Sequence, residues 1–274
     1  MNTFIVPIDF SDASYNAANY AAMLSNVFSA NIILVHAYSN PASISDIPPH
    51  LANQTGKELQ EIIEEQLNEF VEILSKKFTT RIKGIVREGA ATPTILDVSM
   101  KENADLIVMG MKGKGKSNAL FGSNTNLVMR KSSVAVLIIP EKVAYKNIEV
   151  ITLASDFDTE TELSNYLFLK HIASKSKAFI QILNVRKKDN GLSAFEVAGK
   201  LNTAVAFEDL SHEFFTIQDD EVDEGIEDFL DDHPSDLLVM VSRKRNLFER
   251  IFKASHTRKM SYETEIPLLI LQDK

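Results

Sequence analysis

The sequence is written twice. Asp105-Leu-Ile-Val-Met-Gly-Met-Lys-Gly is echoed by Asp236-Leu-Leu-Val-Met-Val-Ser-Arg-Lys, and Leu120-Phe-Gly-Ser-Asn-Thr by Ile251-Phe-Lys-Ala-Ser-His-Thr, around the pair Ser123 and Ser255. Ala135-Val-Leu-Ile-Ile matches Pro267-Leu-Leu-Ile-Leu. Phe4-Ile-Val-Pro-Ile-Asp-Phe-Ser is answered by Val150-Ile-Thr-Leu-Ala-Ser-Asp-Phe-Asp, which sets Asp9 opposite Asp156. The separation is 147 residues at the aspartates and 131 at the later apolar run, so the first copy is longer in its middle. A chain duplicated in this way folds one architecture twice.

Its size allows that. With 274 residues, 45% of them hydrophobic, the chain can supply two cores of about 140 residues each, near the usual domain size. We therefore divide it into residues 1–143 and 144–274. The halves differ in charge: the first holds 13 basic against 14 acidic residues, the second 16 against 24, within a total of -9. Neither half offers the basic face that a polyanion needs, which argues against nucleic acid as a partner. The absence of cysteine excludes disulfides, thiol catalysis and cysteine-ligated zinc, and suits a reducing compartment. The chain enters a core strand at Met1-Asn-Thr-Phe-Ile-Val-Pro with no basic or long apolar leader, and no apolar run reaches membrane-spanning length. The expectation is a soluble, cytoplasmic protein without a membrane partner.

Strands alternate with helices in both halves. In the first, the pattern predicts strand Thr3 to Ile8, a helix capped by Ser11 or Asp12 with the stripe Ala13, Ala17, Tyr20, Ala21, Leu24 and Phe28, and strand Ile32 to Ala37. A polar, proline-bearing stretch, Tyr38 to Gly56, leads to the helix Lys57 to Phe78 with Leu59, Ile62, Ile63, Leu67, Phe70, Ile73 and Leu74 inward. Strand Arg81 to Arg87 follows, then a helix with Thr92 as cap and Pro93 at its first position, a strand at Leu106 to Met109, a last helix from Ser123 and strand Val136 to Ile139. The second half repeats the order, with strands near 148–153, 178–184, 213–217, 236–241 and 267–271. Its acidic run Asp219 to Asp232 still carries a helical apolar face at Val222, Ile226, Phe229 and Leu230, and lacks the ligand order of a calcium loop. This alternation implies the α/β class: two tandem doubly wound domains, each a five-stranded parallel sheet with helices on both faces.

The chemistry concentrates between Asp105 and Ser123, which hold four of the ten glycines, Gly110, Gly113, Gly115 and Gly122, directly after an apolar strand. Glycines there let backbone N–H groups turn toward an anion, and the helix beginning at Ser123 presents its positive end to the same place. Lys112, Lys114 and Lys116 add countercharge. A solvated glycine-rich surface turn is the alternative. Gly110 to Ser117 also satisfies the pattern of a P-loop, with Lys116 on phosphate and Ser117 on magnesium. Against that reading, the helix would have to start near Lys116 and bury Gly122 in its second turn, and the internal repeat aligns through Ser123. His36 reads as a packed strand-end histidine, with no second ligand-type residue at metal spacing.

Over essentially the whole chain these features resemble the universal stress protein family in its tandem form: IVPIDFS with Asp9, the ILVHA strand end, VREG at Val86 to Gly89, and the glycine loop into Gly122-Ser123. ATP-binding members carry glycine, two residues, glycine, nine residues, glycine, then Ser or Thr. Here eight residues, Lys114 to Phe121, separate Gly113 from Gly122, and in the second copy Val241, Lys244 and Ala254 replace the three glycines. The resemblance implies strand order 3-2-1-4-5 and a ligand outside the ends of strands 1 and 4, where the winding reverses. It further implies that Asp9 and the backbone around Pro7 and Ala37 hold adenine and ribose, and that Gly110, Lys112, Gly113, Gly122, Ser123 and Asn124 hold phosphates. An adenine nucleotide, ATP with or without Mg2+, is the expected ligand of the first domain. The second domain is expected to be a degenerate copy that pairs with the first as an internal pseudo-dimer, with homodimerisation left open. No Ser/His/Asp set or metal cluster marks an enzyme, so the expectation is a regulatory nucleotide binder with no activity or a slow ATPase. A P-loop NTPase and a scaffold that binds nothing remain the alternatives.

Overall fold

The computed structural model describes residues 2–39, 49–111, 123–157, 166–186, 191–242 and 266–272, with the backbone alone for 49–55. The chain divides into two compact units, Met1–Tyr145 and Lys146–Lys274.

The first unit runs β1 (Thr3–Pro7), α1 (Asp12–Phe28), β2 (Asn31–Tyr38), α2 (Pro49–Lys77), β3 (Ile82–Glu88), α3 (Ala91–Lys101), β4 (Leu106–Met111), α4 (Ser123–Lys131) and β5 (Ala135–Pro140). Its strands are ordered β3-β2-β1-β4-β5 and all pair in parallel. Parallel strands covered on both faces are apolar throughout, and Phe4, Ile5, Val6, Leu106, Ile107 and Val108 are completely buried. The second unit runs β6 (Val150–Ala154), α5 (Leu167–Ser176), β7 (Phe179–Arg186), α6 (Ala194–Ala206), β8 (His212–Gln218), α7 (Val222–Asp232), β9 (Leu237–Ser242) and β10 (Leu268–Gln272). Its order is β10-β9-β6-β7-β8, the same topology.

The duplication reaches single hydrogen bonds. Asp105 at the start of β4 accepts the N–H groups of Asn2 and Thr3 on one carboxylate oxygen, at 2.6 and 3.1 Å. Asp236 does the same for Glu149 and Val150 at 2.7 and 2.9 Å. Each aspartate thereby fixes the register of the first strand of its unit against the fourth. After the first strand, Phe10 and Phe157 both take left-handed backbone, φ 60° and 54°, a conformation that costs a non-glycine residue about 1 kcal/mol or more. The carbonyl before each turn is held by the second strand, Ile8 by His36 and Ser155 by Asn184, the same position filled by two chemistries.

Three local expectations are corrected. The second helix begins at Pro49, not Lys57: proline is tolerated in a first turn, and the helix runs on through Asn53, Thr55 and Gly56 although these are weak helix formers. Ile62 and Ile73 lie on its outer face, since the buried arc is the narrower one through Ile63, Leu67 and Leu74. Thr92 does not cap α3; the cap position is Ala90, and Thr92 is buried with its hydroxyl donating to the Asn124 side-chain oxygen at 3.2 Å.

Candidate functional site

The C-terminal ends of β1, β2 and β4 meet three helix N-termini around a cavity of about 290 Å³ in the first unit. From the strands come Pro7, Ile8, Asp9, Val35, Ala37, Met109 and Gly110; α1 adds Ser11, Ala13 and Ser14, α3 adds Ala91 and Ile95, and α4 adds Ser123, Asn124 and Thr125. β1 and β4 are neighbours and the chain leaves β1 toward β2 on one side and β4 toward β5 on the other, so this is the point where the winding reverses.

Six of the nine residues singled out in the sequence line this cavity together: Pro7, Asp9, Ala37, Gly110, Ser123 and Asn124. Lys112, Gly113 and Gly122 lie outside the described residues. Sequence reasoning missed Ser14, Ile95, Met109 and Thr125, and gave Ser11 a helix-capping role alone. Ser11 follows Asp9 at a helix start, which is a readable signal; the others are placed by packing.

Asp9 is held by its own turn. One of its oxygens accepts from the Ser11 N–H at 3.0 Å and from the Ser11 hydroxyl, while the Ser11 hydroxyl oxygen in turn caps α1 through the Ser14 N–H at 3.3 Å. The first-helix cap is therefore Ser11, and Asp9 fastens the cap. His36 Nδ1 lies 2.7 Å from the Ile8 carbonyl, and its ring stacks on Phe10 with centroids 4.6 Å apart, so the left-handed turn carrying Asp9 is clamped from β2.

Gly110 has a packing reason besides any ligand. A Cβ on it would lie 2.2 Å from the Ala13 carbonyl oxygen and 3.0 Å from the Ser14 nitrogen, so the first turn of α1 rests directly on the end of β4. A bond from Thr92 to Asn124 ties the start of α3 to the start of α4. The lining is thus apolar in part, through Pro7, Ile8, Val35, Ala37, Ile95 and Met109, and polar in part, through hydroxyls, an amide, the Asp9 carboxylate and helix N-termini, a combination that can take a ligand with both a flat apolar group and an anion.

Among the described residues, the corresponding place in the second unit holds a smaller cavity. Ala154, Ser155, Asp156, Leu183, Val185, Val222, Ile226 and Met240 enclose about 30 Å³, room for about one water. Val185 stands at the position of Ala37, and Val241, buried, at that of Gly110. Lys244 and Ala254 lie outside the described residues. Among the described residues no three of His, Asp and Glu gather as a metal site, and no helix is long and apolar enough to cross a membrane.

A model of the "Universal stress protein family" matches residues 1–140 and 169–272. A universal stress protein of Methanocaldococcus jannaschii, MJ0531, is 27% identical over 142 residues, 49% of this chain and 79% of the relative. One of Synechocystis, Sll1654, is 31% identical over 139 residues, 50% of this chain and 85% of the relative. Among solved structures, a universal stress protein from Archaeoglobus fulgidus superposes with a TM-score of 0.72 at 18% identity, covering 100% of this chain and 99% of that one. A further one from Pseudomonas aeruginosa gives 0.61 at 13% identity, covering 99% and 93%. Fold, repeat and motif agree with these likenesses: the chain belongs to the universal stress protein family.

Proposed function

We propose that the first unit binds one adenine nucleotide, ATP with or without Mg2+, and that the chain serves a stress response as a cytoplasmic nucleotide-dependent regulator. The observation that carries this reading is the cavity itself: about 290 Å³ at the switch point, lined by apolar residues such as Pro7 and Ala37 together with the N-termini of α1, α3 and α4. Adenine fits against the apolar residues, with the backbone near Pro7 and Ala37 reading its edge. Asp9, held in place by Ser11, offers a carboxylate to ribose hydroxyls. Ser123 and Asn124 at the start of α4, with Gly110 and the loop residues Lys112, Gly113 and Gly122, receive the phosphates, as in the ATP-binding pattern that this sequence resembles.

Turnover is slow or absent. Phosphoryl transfer requires a positioned nucleophile and, as a rule, carboxylates that hold the metal; the described lining supplies Asp9 as its single carboxylate, and that carboxylate is tied to Ser11. The experiment is mass spectrometry of gently purified protein, which should release an adenine nucleotide, followed by a phosphate-release assay with magnesium. Turnover of about one per second or more, in the range of ordinary enzymes, would replace the binder with the P-loop reading. Lys116→Ala separates the two further: it abolishes a P-loop enzyme and weakens a glycine-loop binder only modestly.

A further inference from the structure

Asp9 brings a carboxylate to the cavity of the first unit, yet the residue is exposed, so burial does not fix it. The turn that carries it is fixed from β2. Pairing of β1 with β2 ends at Pro7, and Ile8 still donates its N–H to the Val35 carbonyl at 2.8 Å. The Ile8 carbonyl, where the chain leaves the sheet, receives the Nδ1–H of His36 at 2.7 Å. A carbonyl only accepts, so this contact also sets the tautomer of the ring. The same ring stacks on Phe10 with centroids 4.6 Å apart, and Phe10 is the residue held in left-handed backbone, φ 60°. His36 therefore grips the residues on both sides of Asp9. A non-glycine residue keeps such a conformation only where its surroundings impose it.

His36 does this from behind the cavity. Val35 and Ala37 line it, and side chains alternate along a strand, so the ring between them lies on the opposite face of β2. On that face Phe10 also meets Tyr15 of α1 at 6.5 Å, and Tyr15 meets Phe70 of α2 at 4.6 Å between ring centroids. The second copy shows which property of His36 matters. At the same position Asn184 donates from Nδ2 to the Ser155 carbonyl at 2.9 Å, and Phe157 takes φ 54°. Nδ1 of histidine and Nδ2 of asparagine stand the same number of bonds from the backbone. Both copies thus keep a donor of one reach and differ in the group that carries it.

We propose that His36 is a positioning residue for the sugar end of the nucleotide. By holding Ile8 and Phe10 it presents Asp9 to the ribose hydroxyls, and so sets the preference of the first unit for a ribonucleotide over one that lacks those hydroxyls. This inference rests on the nucleotide reading above.

Isothermal titration of the full chain with ATP and with 2′,3′-dideoxy-ATP reads the preference as a ratio of affinities, which a general loss of stability does not move. The parent should favour ATP at least about tenfold, as expected for hydrogen bonds to a charged group. His36→Asn, which keeps the donor at its reach, should retain that ratio. His36→Phe keeps a ring and loses the donor, and should bring the ratio below about threefold. His36→Leu should do the same and serves if the phenylalanine variant fails to fold by circular dichroism. With Asp9→Ala the ratio is already near one, and adding His36→Phe should leave it there, since the histidine acts through the aspartate. Phenylalanine and leucine variants that keep the parent ratio, or an asparagine variant that loses as much as they do, would overturn the inference. A parent that binds ATP with a ratio near one would overturn it and leave the nucleotide reading standing; a parent that binds neither ligand would overturn both.

Discussion

At the scale of single residues, Gly110 and the two clamp aspartates make the sharpest claims. Gly110→Ala puts a methyl group against the backbone of Ala13, which cannot yield as a side-chain tip does. Overpacking of that kind costs about 1–3 kcal/mol, so urea unfolding should show such a loss and nucleotide affinity should fall with it, as the first turn of α1 is pushed off the cavity. Asp236 is subject to opposed influences: burial pushes its pKa up, but hydrogen bonds from Lys146, Val150 and Glu149 outweigh it and hold the carboxyl below its ordinary value. A folded-state pKa below the unfolded value of about 3.9 stabilises the fold above that pH, and the contribution is lost as pH falls through the folded value. Asp236→Ala should therefore cost about 1–3 kcal/mol at pH 7, the cost of leaving two backbone donors without their carboxylate. The gap from the parent should narrow steadily below pH 4 in an unfolding series. Glu227 has the opposite sign. Burial, then the charges of Asp223, Asp231, Asp228 and Glu224, raise its pKa, so its ionised form opposes folding at neutral pH. Glu227→Gln should raise the melting temperature slightly at pH 7, by less than about 1 kcal/mol of stability, and make no difference below about pH 4.

At the scale of elements, the hydroxyl of the buried Thr92 links the start of α3 to the start of α4 through Asn124, which lines the cavity. Thr92→Val keeps the shape and removes the bond, so calorimetry should show nucleotide affinity falling several-fold while stability drops by about 1 kcal/mol. This link was not legible in the sequence, where Thr92 before Pro93 read as a cap; only packing reveals that the threonine is buried and faces another helix. Strands were legible nearly to the residue, because buried parallel strands are continuous apolar runs bounded by polar turns: β4 and β9 start one residue after Asp105 and Asp236, the aspartates that anchor them. Helix starts were less so. The apolar stripe of α2 begins at Leu59, whereas its backbone turns helical at Pro49, and the sequence between them offers no apolar period to read. Of the site, Asp9, Gly110 and Ser123 could be read from motif and spacing, but Ile95 and Met109 could not, since their place at the cavity is decided by which helix crosses which strand.

At the scale of the whole molecule, duplication followed by divergence yields two units of one topology whose cavities, among the described residues, differ in size, about 290 Å³ against about 30 Å³. The clamps that hold each fold, Asp105 and Asp236, are kept in both copies, whereas the small residues that open the first cavity, Ala37 and Gly110, become Val185 and Val241 in the second. One nucleotide per chain is the central claim that follows. The direct test is isothermal titration of ATP into nucleotide-stripped protein, with the double substitution Gly113→Val and Gly122→Val and, separately, Ala254→Val. We expect a stoichiometry near one, abolished by the pair in the first copy and unchanged by Ala254→Val. Two equivalent sites, or binding that survives the first-copy pair and is lost with Ala254→Val, would contradict the assignment.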